Sequence, residues 1–297
     1  MEGGGGKMFS GCFTAIVTPF KNGKVDEKAL KRLIEFQIRN GVAGIVPCGT
    51  TGESATLSYE EHNRVIDIAI ETAKGRIKVI AGTGSNATSE TIMLTRHAHD
   101  AGADAALLIT PYYNKPTQAG LFEHYRKVAE ETDIPVLLYN VPGRTGVNIL
   151  PETVAKLSEI ENIIGIKEAT GDLKQVSDVI EFSKKGFIVL SGDDFTTLPL
   201  LSLGGKGVIS VTSNIAPKDV SAMCNLFLEG NFSEGKKLHF RLQTLHRAMF
   251  VESNPIPVKT ALSMMGMMKE EFRLPLVRMA DVNRKKVEKA LRDYGLI

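Results

Sequence analysis

Cysteine is scarce and scattered. Cys12, Cys48 and Cys224 are the whole complement, odd in number and without a C-x-x-C pair. That excludes a disulfide framework and a cysteine-rich zinc site, and it fits a reducing compartment. No H-E-x-x-H and no G-x-S-x-G occurs, so zinc hydrolysis and a serine nucleophile elbow fall away. His97 and His99 stand two apart in a helical stretch and so cannot share a face. Also missing are an apolar run near the ~20 residues of a membrane helix and the long apolar core of a signal peptide. The expected compartment is the cytoplasm, with no membrane partner. Charge of one sign is not in surplus either: 36 Lys+Arg face 34 Asp+Glu in 297 residues, a net of +2. So even a balance argues against a nucleic-acid partner.

What the chain does have is ordinary globular composition, 43% hydrophobic and 24% charged, which argues against disorder. Residues 1–7, with four glycines in a row, read as a flexible leader ahead of Met8. Beyond them short apolar runs alternate with longer amphipathic ones. The apolar runs are Phe13–Thr18, Gly44–Cys48, Lys78–Gly82, Ala105–Thr110, Val136–Asn140, Ile163–Lys167, Phe187–Ser191 and Gly207–Val211. Most lack polar alternation, as strands buried on both faces should. Between them lie helix signals: a capping box at Ser58 and Glu61, Pro151 and Pro217 in first turns, and ends at Asn40-Gly41 and Lys74-Gly75. This alternation predicts an α/β protein built as a (β/α)8 TIM barrel over residues 8–230, rather than a doubly wound open sheet. Residues 231–297 carry helical signals only and read as a C-terminal helical domain. Its core would use Leu238, Leu242, Leu245, Met249, Leu262, Met265, Met267 and Leu276.

A barrel of this kind keeps its chemistry at the C-terminal strand ends. After the second strand, Gly49-Thr50-Thr51-Gly52-Glu53 offers two hydroxyls and free backbone N–H groups to a carboxylate; a plain Gly/Thr turn is the alternative. The fourth strand runs into Tyr112 and Tyr113, phenols able to pass a proton or simply half-buried packing. Tyr139 closes the fifth strand, where its hydroxyl needs a partner. Arg144 follows in a Pro/Gly-stiffened loop, either gripping a carboxylate with its planar fork or solvated. In the sixth strand, alternation places Ile163, Gly165 and Lys167 on one face and Ile164 and Ile166 on the other. The isoleucines suit the helix-facing side, so Lys167 points inward with Gly165 below it leaving space. An ammonium there gives up hydration, which favours the neutral amine, and a neutral amine attacks a carbonyl to form a Schiff base. The plainer alternatives are a lysine snorkelling to water or paired with Glu168. Asp193 and Asp194 have no histidine nearby to complete a metal site and read as caps of the next helix. Ile209 would form an apolar wall. Gly82–Ala87 loosely fits a dinucleotide turn, but the acid at the right distance, Asp104, begins a strand instead of ending one.

Taken together, G-T-T-G-E at Gly49–Glu53, P-Y-Y-N-K-P at Pro111–Pro116, Y-N-V-P-G-R-T at Tyr139–Thr145, G-I-K-E-A at Gly165–Ala169 and S-G-D-D at Ser191–Asp194 resemble the dihydrodipicolinate synthase family. The likeness runs from about residue 9 to the C-terminus and includes Asn254–Lys259. Arg144 in P-G-R-T is its most discriminating element, since the related sialic-acid lyases are expected to lack it. The resemblance implies a barrel enzyme condensing pyruvate with L-aspartate 4-semialdehyde on the diaminopimelate route to lysine, without cofactor or metal. It implies Lys167 as the Schiff-base nucleophile and Thr50, Tyr139 and Tyr113 as a proton relay, with Tyr113 reaching across a dimer interface. Thr51 would hold the pyruvate carboxylate and Arg144 that of the semialdehyde, with Gly192 and Ile209 lining the pocket. It also implies a feedback site for lysine at Ser54, Ala55, His62, Asn86, Glu90 and Tyr112. Tyr59 departs there from a histidine found in some members. A homotetramer, a dimer of dimers, is the implied assembly. A sibling pyruvate or 2-keto acid aldolase acting on a sugar acid is the alternative, and a metabolite-binding protein without turnover a third reading.

Overall fold

Apolar runs without polar alternation need cover on both faces, and here they find it inside a ring of helices. In the computed structural model, which describes residues 9–297, eight parallel strands close into a barrel. They are β1 (Gly11–Ala15), β2 (Gly44–Val46), β3 (Lys78–Gly82), β4 (Ala105–Ile109), β5 (Val136–Asn140), β6 (Ile163–Glu168), β7 (Ile188–Ser191) and β8 (Gly207–Ser210). β1 pairs with both β8 and β2, which closes the ring. The fold is thus the predicted (β/α)8 barrel with helices at its C-terminal end. β1 starts and ends earlier than its apolar run suggests; the predicted leader lies outside the described residues.

Around the ring run α1 (Glu27–Arg39), α2 (Tyr59–Ala73), α3 (Thr88–Ala101), α4 (Gln118–Glu130), the short α5 (Pro142–Thr145), α6 (Pro151–Ser158), α7 (Leu173–Phe182), α8 (Thr197–Ser202) and α9 (Pro217–Leu228). The capping box forms as read: Ser58 Oγ accepts from Glu61 N at 3.2 Å, and the Glu61 carboxylate accepts from Ser58 N at 3.1 Å. Lys74 ends α2 in the left-handed region. Then come α10 (Phe232–Met249), α11 (Ile256–Met264) and α12 (Asp281–Tyr294). Leu242, Leu245, Met249 and Leu262 are buried in one hydrophobic cluster with Cys12, Ile16 and Val220 of the barrel, and Leu238, Met265, Met267 and Leu276 pack against it half-buried.

Inside the barrel Phe13, Ile80, Leu107, Leu137, Ile188, Leu190 and Ile209 form a separate core. β6 departs from simple alternation. A register shift opposite Val136 and Leu137 marks a bulge, so Ile163 joins the outer cluster with Ile166 while Ile164 packs against the inner one. The predicted sharing of a face by Ile163 and Lys167 therefore fails, and the phase is regained from Gly165 onward. Asp194 also departs from expectation. It turns back to β8, accepting from Ser210 Oγ at 2.5 Å and from Val211 N and Thr212 N at 3.0 Å. Only Asp193 stays at the head of α8, accepting from Phe195 N at 3.1 Å.

His124 on α4 is buried, with Nδ1 2.9 Å from Thr88 Oγ1 and no partner for Nε2 among the described residues. Burial pushes its imidazole down to about 4. The unfolded chain therefore takes up a proton near pH 6.5 that the folded one refuses, and stability is lost as pH falls from there toward 4. The expected contribution is up to about 3 kcal/mol. Urea unfolding at pH 7 and pH 5 should show that decline, and His124→Gln should lessen it, leaving the part due to His62, His239 and His246, which burial also holds low.

Candidate active site

Parallel pairing sets β5 against β6 so that Tyr139 lies opposite Lys167, and both side chains enter the barrel at the same height. Lys167 Nζ sits 4.1 Å from the Tyr139 ring centroid, a favourable cation–π distance. The lysine is only 6% exposed, yet among the described residues it joins no ion pair. Its neighbour Glu168 leaves by the opposite face. There Oε1 accepts from Thr170 N at 2.8 Å and Oε2 from Asn140 Nδ2 at 3.2 Å, and burial pushes the carboxyl pKa up. The space around Lys167 does not come from Gly165, where a Cβ would lie 2.4 Å from Ile188 O and 2.8 Å from Leu137 Cδ2. It comes from Gly192 on the next strand end, where a Cβ would lie 3.0 Å from Lys167 Cε and 2.6 Å from Ala169 Cβ.

The turn after β2 folds back on itself, with Gly52 N and Glu53 N donating to Gly49 O and Thr50 O at 3.1 Å. It presents Thr50 and Thr51 to the same cavity. That cavity, about 180 Å³, is lined among others by Thr50, Thr51, Tyr139, Arg144, Lys167, Gly192 and Asp193, with Val211, Phe250 and Asn254 also in the wall. Sites for drug-sized ligands measure ~300–1,000 Å³, so this one suits a small acid. Ile209 lies one layer down in the inner core, and Val211 takes the wall position expected of it.

Asn254 and Phe250 are the residues that sequence reasoning missed. Asn254 Nδ2 donates to Thr51 Oγ1 at 2.9 Å, and its carbonyl accepts from Arg144 Nη2 at 3.3 Å. Its own Oδ1 is buried without a partner among the described residues. Only the N-P-I-P-V-K string signalled it, and nothing in that string says which loop it meets.

Tyr113 is not in this cavity. It stands 89% exposed with φ of 74°, a strained backbone for an aromatic residue, held by Tyr113 N donating to Thr145 O at 3.4 Å. A second polar cluster gathers Ser85, Glu90, Asn86, Tyr112 and Tyr59. Glu90 Oε2 accepts from Ser85 Oγ at 2.6 Å, and Asn86 Nδ2 donates to Tyr112 O at 3.4 Å. Hydrogen bonds from Ser85 and Tyr59 hold the Glu90 carboxyl below its usual range. His62 is turned inward to Gly82 O, 2.9 Å away; Ser54 and Ala55 lie in the turn Ser54–Thr56 ahead of α2. Asp104, at dinucleotide-like spacing, pairs with Lys78 Nζ at 2.6 Å, at the end of the barrel away from these loops. A wider groove of about 800 Å³ beside α1 and α2 holds Lys31, Arg32, Glu35 and Glu71 but none of the strand-end residues.

Residues 8–294 match the model of the dihydrodipicolinate synthetase family. The chain belongs to the dihydrodipicolinate synthase family. It is 61% identical over 290 residues to the 4-hydroxy-tetrahydrodipicolinate synthase of Thermodesulfovibrio yellowstonii, covering 98% of this chain and 100% of that one. Its fold matches the crystal structure of the chloride-inhibited dihydrodipicolinate synthase from Acinetobacter baumannii complexed with pyruvate, at a TM-score of 0.95 and 50% identity over 97% of this chain and 99% of that one. The enzyme from Cyanidioschyzon merolae with lysine bound gives a TM-score of 0.95 at 40% identity, over 98% and 99%. The activity of this family member is 4-hydroxy-tetrahydrodipicolinate synthase, a lyase of lysine biosynthesis. No helix of the described residues is long and apolar enough to cross a membrane.

If Gly192 supplies the clearance for Lys167, then Gly192→Ala should crowd the lysine's methylene stem and shift Nζ while leaving the barrel folded. Steady-state turnover should fall at least ~10-fold, about 1.4 kcal/mol of barrier, with the circular dichroism spectrum unchanged.

Proposed function

We propose that this synthase works through a covalent pyruvate adduct on Lys167, with no metal or organic cofactor in the chemistry. The observation that carries the reading is the Lys167 amine itself: buried, in no ion pair among the described residues, and sharing a small cavity with two threonines, a phenol, an arginine and Asp193. The amine adds to the keto carbon of pyruvate and water leaves, giving an iminium. The iminium is an electron sink, so the methyl group gives up a proton and becomes an enamine carbon. That carbon attacks the aldehyde of L-aspartate 4-semialdehyde, forming the C–C bond, and the new alkoxide takes a proton. The semialdehyde's own amine then displaces Lys167 and closes the ring.

Thr50, Tyr139 and Tyr113 form the relay that moves these protons. Thr51 and the adjacent backbone N–H groups take the pyruvate carboxylate, and the Arg144 guanidinium takes that of the semialdehyde. Tyr113 enters a neighbouring copy's cavity, a role supported by its strained backbone and its exposed ring. The functional unit is therefore at least a dimer, and a tetramer is the assembly we infer. The Tyr59–Glu90–Asn86–Tyr112 cluster, with the bound lysine of the C. merolae enzyme as precedent, is the proposed lysine feedback site. Tyr59 helps Ser85 hold the Glu90 carboxyl below its usual range, so a lysine ammonium approaching Glu90 meets a carboxylate.

Borohydride reduction with pyruvate should fix a three-carbon adduct on the peptide carrying Lys167, read by mass mapping; no adduct there would reject the mechanism. Lys167→Ala should abolish nearly all turnover with the fold intact. Tyr113→Phe should lower kcat more than it raises the pyruvate KM, and Arg144→Ala should raise the semialdehyde KM. Unaltered kinetics in either variant would remove that residue from its role.

A further inference from the structure

Glu53 closes the dithreonine turn with a backbone φ of 53°, in the left-handed region that a side chain rarely adopts. Its side chain is fully buried and so is that of its partner, Lys259 on α11, whose Nζ donates to Glu53 Oε1. The ammonium also lies 4.3 Å from the Phe20 ring centroid and 5.2 Å from that of Phe272. The other Glu53 oxygen accepts from Arg273 N at 3.2 Å. Arg273 in turn holds the Thr56 carbonyl at 2.8 Å and grips the Glu61 carboxylate with both terminal nitrogens, at 2.5 and 2.6 Å. Five residues before Lys259, Asn254 bonds Thr51. One C-terminal stretch thus grips the turn at Thr51 and at Glu53.

A buried ion pair is a poor device for stability alone. Desolvation of two charges offsets most of their attraction, and apolar residues of the same volume often do as well or better. What such a pair does supply is direction, because each charge must meet its partner. We propose that Glu53 and Lys259 are a positioning pair through which the C-terminal helices set where the Thr50 and Thr51 hydroxyls stand relative to Lys167. Neither residue touches substrate. The inference rests on the Schiff-base role of Lys167 and the relay role of Thr50.

The test uses the full-length enzyme and two variants. Glu53→Gln combined with Lys259→Met removes both charges at nearly constant volume, so no lone charge is left buried. Glu53→Asp keeps both charges and draws the carboxylate back by one carbon, ~1.5 Å. Thermal midpoints, steady-state kinetics and borohydride trapping with pyruvate are read together. The expected result is a kcat at least tenfold lower in the double variant and about threefold or more lower in Glu53→Asp. Lys167 should still be trapped by pyruvate, and the midpoint of Glu53→Asp should stay close to that of the unsubstituted enzyme. Should the double variant fail to fold, Glu53→Asp decides alone. A kcat within twofold of the unsubstituted enzyme in a folded variant overturns the positioning role. Failure to trap the unsubstituted enzyme overturns the Schiff-base reading, and the positioning role with it.

Discussion

The chemistry depends on the phase of one strand. Side chains on a strand alternate between faces with a period of two, so a slip of β6 by one residue would turn Lys167 toward α7 and put Glu168 inside the barrel. Three features hold the phase. The bulge opposite Val136 and Leu137 absorbs the extra residue at the start of the strand. Gly165 sits where a Cβ would strike the Ile188 carbonyl, so no slip can bring a side chain there. Glu168 is anchored outside by Asn140 and Thr170. With the phase set, the parallel register delivers Lys167 to the face of Tyr139 without any further device.

The second constraint is that the mouth of the barrel is not closed by the barrel. Thr51 and Arg144 come from different strand ends and meet through Asn254, which follows α10. A buried amide whose nitrogen donates to a hydroxyl and whose backbone carbonyl accepts from a guanidinium fixes both groups relative to each other. The C-terminal helices are therefore part of the site as well as cover for the core, which is why their apolar residues merge with those of the barrel wall.

Local chemistry was legible from the residues in order. Apolar runs overlapped every barrel strand, with β1 displaced from its run, because a parallel strand covered on both faces has few polar positions to confuse the pattern. Alternation picked out Lys167, and Ser58 with Glu61 marked the start of α2 through a contact three residues long. The bulge was not legible: Ile163 and Ile164 are chemically alike, and only the partner strand shows which one faces inward. Gly192 and Gly165 traded roles for the same reason, since clearance depends on the neighbouring strand. Asp194 looked like a cap beside Asp193 but bonds residues 16 to 18 positions away. Asn254 meets Thr51 across 203 residues, a separation over which local pattern carries no signal.

Two lysines inside the described residues make the division of labour visible. Lys259 is wholly buried, faces a carboxylate and lies against two aromatic rings. Burial pushes its ammonium below the usual range, and Glu53 works in the opposite sense. An amine in that setting has its lone pair committed to a proton that the carboxylate holds in place. Lys167 is almost as deep but joins no ion pair among the described residues, and its Nζ lies over the π face of Tyr139, which attracts a cation by ~1–2 kcal/mol and accepts no proton from it. Asp193 lines the same cavity, yet its carboxylate is occupied by Phe195 N and Thr196 Oγ1. Pairing, rather than depth, separates the two: one ammonium is tied to a carboxylate, and the other, among the described residues, is not.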